Sequence, residues 1–322
     1  MAWEECVRVR APASSANLGS GFDAIALAHD SFYDEVEACV SPRTASTLVY
    51  LESLEGPYAI ESGGATTALE AARAILERLG VGGVRVSLSV YKGVPPGRGL
   101  GSSGASAAAA AVAVSEALHR LLGTPLPGWE ELVEAAGRGE AAAAGAPHYD
   151  NVAASILGGI VVVARSHGRL TVYKIKPPSG MHIALLVPGA APGPGKTRAM
   201  RSILPRSITL GEASAYASRA ALLAAALASG DLVAAGKAMM MDELVEPRRA
   251  RLTPCYEEAV AAALNAGAYG ASLSGAGPSI IALAGGEAAA RRVADAMREA
   301  YTPCGDAVGV TARPRESPIK PL

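Results

Sequence analysis

The residues best suited to chemistry lie together in Pro95-Pro96-Gly97-Arg98-Gly99-Leu100-Gly101-Ser102-Ser103-Gly104-Ala105. Glycines lack a Cβ, so the backbone here can approach a polyphosphate closely. A helix starting at this point offers N–H groups with no intrahelical partner and the positive end of its dipole, and both favour an anion. The Ser102 and Ser103 hydroxyls can cap that helix, reach a phosphate oxygen or ligate magnesium. The flanking elements fit the purpose. Val84 to Val90 alternates apolar and polar side chains as a half-buried strand does, and Ser106 to Leu122 is built of good helix formers, stopping at Gly123 with Pro125 beyond. Strand, glycine loop and helix in that order hold phosphate; a Gly/Ser turn that merely caps a core helix is the plainer alternative.

Two common fingerprints are imitated without being met. Gly99 to Gly104 matches G-x-G-x-x-G by letter, but it lies a third of the way along the chain rather than after a first strand. Gly193-Pro194-Gly195-Lys196-Thr197 ends like a Walker A loop, yet Ala190 stands where its first glycine belongs, and Pro192 and Pro194 remove N–H donors.

The Pro95 to Ala105 loop resembles the second motif of the GHMP family of small-molecule kinases, P-x-x-x-G-L-G-S-S-x-A. Val7 to Asp23, containing Pro12-Ala13-Ser14-Ser15-Ala16-Asn17-Leu18-Gly19, is similar to the first motif in its homoserine kinase form. Gly270-Ala271-Ser272-Leu273-Ser274-Gly275-Ala276-Gly277-Pro278-Ser279 resembles the third, a glycine loop that closes on the phosphate site. His148-Tyr149-Asp150-Asn151-Val152-Ala153, followed by Gly158-Gly159, is similar to a segment of the homoserine kinase branch. The four motifs stand in order and span residues 7 to 279.

Composition agrees with an ordinary enzyme. A chain of 322 residues exceeds the usual size of one core, so two domains are expected. A net charge of −1 gives no field to attract nucleic acid or an anionic membrane. The charged N-terminus is unlike a signal peptide, and the runs Ala105 to Val114 and Ala220 to Ala228 are too short to span a bilayer. A soluble cytoplasmic protein is expected. Cys6, Cys39, Cys255 and Cys304 form no C-x-x-C or zinc pattern and read as structural thiols.

Strands are expected near Cys6–Arg10, Glu35–Val40, Thr47–Tyr50 and Val84–Val90, with helices at Ala65–Leu79, Ser103–Leu122 and Trp129–Ala144. A hairpin (Ile160–Ala164, Leu170–Ile175) and a strand (Met181–Val187) follow. Helices come next at Thr209–Ser229, Asp231–Met240 and Pro254–Ala266, then strands around Ala271–Ser274 and Ser279–Leu283, a helix (Glu287–Tyr301) and a strand (Ala307–Thr311). The mixed order predicts an α+β chain of two domains, residues 1–170 and 171–322. Arg313 to Leu322, with three prolines, reads as a frayed end. The resemblance implies a ribosomal protein S5 domain 2-like N-terminal domain and a ferredoxin-like C-terminal domain, with the site between them.

The resemblance further implies ATP-dependent phosphorylation of the side-chain hydroxyl of L-homoserine, in threonine biosynthesis. Positioning and charge stabilisation carry most of such a reaction. Residues 95 to 105 (Pro95, Pro96, Gly97, Arg98, Gly99, Leu100, Gly101, Ser102, Ser103, Gly104 and Ala105) would hold ATP with Gly275 and Gly277. Glu140, eight residues before His148, would hold Mg2+ with Ser102 or Ser103. Arg201 and Arg249 would clamp the substrate carboxylate, a task suited to a bidentate fork, with their neighbours Arg198 and Arg248 left to the surface. Asn17, Asp23, His148 and Asn151 would complete the pocket, with Asn17, Asp23 and Asn151 nearest the chemistry. Asn17 stands where many relatives carry a lysine. The resemblance implies that no strong base is required, the hydroxyl losing its proton late or to a phosphate oxygen; Asp23 and Asp150 are the other candidate acceptors, and the base stays open. A homodimer is common in the family.

Two departures from the family pattern are visible. Gly63-Gly64-Ala65-Thr66-Thr67-Ala68 lacks the asparagine that relatives often place on the nucleotide, and Lys196-Thr197 replaces a commoner Ser-Thr pair. A kinase for another alcohol such as mevalonate or a sugar, a GHMP-type decarboxylase and a non-catalytic sensor are the alternatives.

Overall fold

The computed structural model describes residues 3–42, 46–60, 66–144, 147–190, 193 and 195–322. Gly63 to Ala65, Pro192 and Pro194, on which two of the sequence readings rest in part, lie outside the described residues.

β1 (Glu5–Asn17) and β2 (Gly21–Pro42) form a long antiparallel pair whose register shifts between Pro12 and Ala13. The two halves of β2 therefore serve different neighbours. Asp34 to Pro42 pairs with β4 (Val84–Lys92), and Ile25 to Leu27 pairs with β5 (Ile160–Ser166). β3 (Leu48–Glu55) lies parallel to β4, and β6 (Arg169–Ile175) closes a hairpin on β5. Against this sheet pack α1 (Thr66–Leu79), α2 (Ser102–Leu122), α3 (Trp129–Ala144) and α4 (Tyr149–Leu157). α2 touches β1, β2 and the three other helices, and Ala105, Ala107 to Ala111, Ala113 and Ala117 are fully buried in it. A helix surrounded on all sides needs small side chains, which is why its sequence is alanine-rich rather than amphipathic. It ends on Gly123 in the left-handed conformation.

The second sheet joins β7 (Met181–Pro188), β8 (Gly270–Leu273), β9 (Ile280–Gly285) and β10 (Ala307–Ala312) in the antiparallel order β10-β7-β9-β8. Between β7 and β8 come α5 (Lys196–Ser202), α6 (Leu210–Ser229), α7 (Leu232–Met239), α8 (Glu246–Ala250) and α9 (Tyr256–Asn265); α10 (Glu287–Tyr301) precedes β10. β7, α9, β8, β9, α10 and β10 make the ferredoxin-like β-α-β-β-α-β unit that was expected. The two-residue strand period divides its core. Ile183, Leu185, Ile281 and Leu283 join the main core with Leu223, Leu227 and Met239, whereas Ala184, Leu186, Ile280 and Ala282 face a second core with Val293 and Met297. The second sheet is thereby fastened to the first unit through α6 and α7.

Several sequence expectations change. β1 runs through the first motif, and α4, α5 and α8, each of nine residues or fewer, were not foreseen. The four cysteines are paired, Cys6 with Cys39 across β1 and β2, and Cys255 with Cys304. Partners 33 and 49 residues apart leave no spacing signal, because strand pairing and packing bring them together. The C-terminus is not frayed. Pro314 bridges to His29 and Pro321 to Val9, the Leu322 N–H donates to the Arg8 carbonyl, and Ile319 is buried in the main core. Among the described residues no helix is long and apolar enough to cross a membrane.

Candidate active site

The loop between β4 and α2 folds back through three left-handed glycines, Gly97, Gly99 and Gly101. A Cβ on Gly99 would stand 2.1 Å from the Ser274 carbonyl oxygen, and one on Gly101 2.2 Å from Ser14 Oγ. The other two motifs therefore press directly on this loop. Ser274 Oγ donates to the Gly99 carbonyl at 2.6 Å, the Ser279 N–H to the Arg98 carbonyl, and the Gly275 N–H to the Ala16 carbonyl. Three segments distant in sequence thus wall one cleft of about 300 Å³ at the N-terminus of α2.

Beneath the loop lies a buried ion pair that sequence reading missed. Lys92 Nζ donates to Asp34, to Ser102 Oγ at 2.8 Å and to Ser106 Oγ at 2.8 Å. Asp34 also accepts from Ser106 Oγ and from the Gly93 and Val94 N–H groups. The pair ties β2, β4 and the first turn of α2 together. The lysine three residues before Pro95 was its only trace in the sequence.

On one side of the α2 N-terminus, Ser103 Oγ donates to Glu140 Oε1 at 2.8 Å. Glu140 Oε2 accepts the His148 N–H, and His148 Nδ1 lies 3.4 Å from Glu140 Oε1. Burial disfavours the His148 imidazolium, but Glu140, helped by Asp150 and Asp23, outweighs it and raises the pKa. The buried Glu140 carboxylate and the partly buried Ser103 hydroxyl supply hard oxygen donors at the α2 N-terminus, a donor set that fits magnesium. Ser102, the other serine considered for that role, spends its hydroxyl on Lys92 and the Val94 carbonyl. Asp150 is buried nearby, and burial followed by the charge of Asp23 pushes its carboxyl up to about 7.

The far end of the cleft is cationic. Arg201 grips both oxygens of Asp23 at 2.9 and 2.6 Å. Arg249 is buried, donates to the Met200 and Gly275 carbonyls at 3.3 and 3.2 Å, and shares the Phe22 ring with Arg201. Asn17, in the left-handed conformation, donates to the Gly275 carbonyl and accepts the Asp23 N–H. Asn151 accepts from Ser14 Oγ at 3.0 Å.

Of the residues singled out from sequence, Asn17, Asp23, Pro96, Gly97, Gly99, Leu100, Gly101, Ser102, Ser103, Glu140, His148, Asn151, Arg201, Arg249 and Gly275 line the cleft. Pro95, Gly104, Ala105 and Gly277 stand behind its wall. The Arg98 guanidinium bonds the Pro96, Pro188 and Gly189 carbonyls and so fastens the loop to the end of β7. Asp150, considered from sequence as a proton acceptor, and the Thr66-Thr67 and Lys196-Thr197 pairs, noted there as departures from the family pattern, also line the cleft, as does Lys92, which had been given no place.

The family profile for the GHMP kinases N-terminal domain matches residues 66–159, and that for the C-terminal domain matches residues 223–302. The chain belongs to the GHMP kinase family. This GHMP kinase is 50% identical over 311 residues to a homoserine kinase of Aeropyrum pernix, covering 95% of this chain and 96% of that one. The crystal structure of homoserine kinase from Cytophaga hutchinsonii superposes with a TM-score of 0.84 at 32% identity, covering 99% of this chain and 98% of that one. A mevalonate kinase of L. major in complex with R-mevalonate, 18% identical with a TM-score of 0.67 and covering 97% and 96% of the two chains, shares the fold alone.

Proposed function

We propose that this GHMP kinase transfers the γ-phosphoryl group of ATP to the side-chain hydroxyl of L-homoserine. The observation that carries the reading is the division of one cleft between a phosphate end, at the α2 N-terminus with Glu140 and Ser103, and a cationic end with Arg201 and Arg249. An amino-acid carboxylate suits Arg249 best. Its buried guanidinium lies over the Phe22 ring and, among the described residues, hydrogen-bonds carbonyl oxygens and no carboxylate, while Arg201 already holds Asp23. The high identity to relatives named homoserine kinase supports the same substrate.

In the reaction the homoserine hydroxyl oxygen forms a bond to the γ-phosphorus as the bond to the β,γ-bridging oxygen breaks. The bridging electron pair leaves with ADP, and the hydroxyl proton passes to a phosphate oxygen. Asp23, neutralised by Arg201, orients rather than deprotonates in this scheme. Asn17 and Asn151, fixed by Gly275 and Ser14, border the reacting atoms, and the glycine-loop N–H groups and helix dipole meet the developing phosphate charge. Glu140 and Ser103 would hold Mg2+, which when bound neutralises the outer phosphates.

The test is ADP release with ATP and magnesium, comparing L-homoserine with mevalonate, galactose, shikimate and no acceptor, with product mass as the check. Turnover confined to L-homoserine and abolished by EDTA is expected. Turnover with another acceptor would leave the phosphate end standing and overturn the assignment of the cationic end. Silence with every acceptor would favour a sensor.

A further inference from the structure

We propose that Lys196 is a phosphate-binding cation of this site, pairing with the outermost phosphate of bound ATP from the wall opposite α2. The inference deepens the phosphotransfer reading and rests on it. Lys196 opens α5 and lines the cleft, where its ammonium donates to the carbonyls of Ala276 at 3.1 Å and of Gly277. The Gly277 carbonyl, with that of Ser274, is also one of the atoms against which Gly99 of the glycine loop packs. A Cβ on Gly99 would lie 2.8 Å from it. The ammonium thus sits one carbonyl away from the loop that offers its N–H groups to an anion.

The charge around Lys196 is unbalanced. An ammonium has three donors, and two here meet neutral carbonyls. Among the described residues no carboxylate pairs with it, and the charged group acting on it is Arg249, of the same sign. Burial first, and Arg249 second, push its pKa down to about 7. A half-buried cation beside a second cation is costly unless an anion arrives. Holding two carbonyls together needs only a neutral donor such as an amide or hydroxyl, so latching the third motif does not account for a lysine. A triphosphate seated on Gly97, Gly99, Gly101 and the α2 N-terminus supplies the missing anion. It also divides the work of two neighbouring cations, with Lys196 serving the nucleotide and Arg249 the amino acid.

The test compares wild type with Lys196→Gln, which keeps a donor for the carbonyls without the charge, and Lys196→Arg, which keeps the charge. Steady-state kinetics with L-homoserine are read beside calorimetric binding of ADP and of a non-hydrolysable ATP analogue, each with magnesium. Lys196→Gln is expected to lower kcat/KM for ATP about 10²-fold, the scale for losing one charge-stabilising donor, with little change in the KM for homoserine. It should also bind the ATP analogue less tightly while binding ADP as wild type does. Lys196→Arg should recover most of both losses. A Lys196→Gln enzyme within threefold of wild type, with its preference for the triphosphate intact, overturns the proposal. Equal losses in both variants, accompanied by a lower Tm, make Lys196 a structural latch and overturn it too. A wild type that ignores homoserine yet needs Lys196 to distinguish ATP analogue from ADP supports Lys196 and overturns only the choice of acceptor.

Discussion

Replacing Lys92 by methionine should unfasten the phosphate loop from below. Methionine nearly matches the length of the lysine stem but leaves Asp34 as a fully buried carboxylate without its cation. Removing one partner of a buried pair typically costs about 3 to 5 kcal/mol. Asp34 retains the Gly93 and Val94 N–H groups and the Ser106 hydroxyl as donors, so the low end applies, near 3 kcal/mol. At about 2 to 4 °C per kcal/mol, the midpoint of thermal unfolding should fall by roughly 6 to 12 °C. Ser102 and Ser106 each lose a donor, so the first turn of α2 should also loosen, which raises the KM for ATP. Adding Asp34→Asn tests the cause. The amide oxygen can keep both backbone donors while the lone charge is gone, so Asp34→Asn/Lys92→Met should be more stable than Lys92→Met by at least about 1 kcal/mol. Thermal melts of the two variants and the parent at equal pH decide it. A double variant that melts below Lys92→Met, or a single variant within 2 °C of the parent, would refute the reasoning.

Three further outcomes follow from the same geometry. Arg249→Met should lower kcat/KM for L-homoserine by about 2 to 5 kcal/mol of transition-state binding, seen mainly as a raised KM; an unchanged KM removes the arginine from the carboxylate site. Asp150, with a folded pKa raised to about 7 from an ordinary value of 3.8, binds its proton more tightly in the folded state. Its stabilising effect is complete below about pH 4 and lost as pH rises through about 7, so Asp150→Asn should flatten the decline in Tm over that window and melt above the parent at pH 8. Reducing the disulfides, which close segments of 33 and 49 residues, should cost about 4 kcal/mol each on chain-entropy grounds, checked by melts with and without a phosphine reductant.

The glycine loop at the head of the cleft was legible because it is local: strand, glycines and helix are consecutive. Most of the helices were legible for the same reason, from runs of helix formers and breakers such as Gly123. What bends or closes in three dimensions was not. The span of β2 across two partners depends on a register shift at Pro12 and Ala13, and the Lys92–Asp34 pair joins residues 58 apart that look like ordinary surface charges in a strand pattern. Ser102 and Ser103 were indistinguishable as letters; only the helical turn sends one hydroxyl to Lys92 and the other to Glu140. The arginines differ likewise, since Arg201 is bound to Asp23 while Arg249 is bound to the Met200 and Gly275 carbonyls.

The C-terminal residues that return to β1 make the first unit discontinuous. Its opening strand reaches full pairing only when Pro321 and Leu322 arrive, after the whole ferredoxin-like unit has been made. During synthesis the whole second unit therefore emerges before the residues that complete the pairing of β1. The Leu322 N–H contact with the Arg8 carbonyl also places residue 322 beside the first strand, so a linker could run from residue 322 back to β1 and a break be opened at the exposed turn around Gly180. Such a circular permutant would keep the cleft while reversing the order in which its two walls are made.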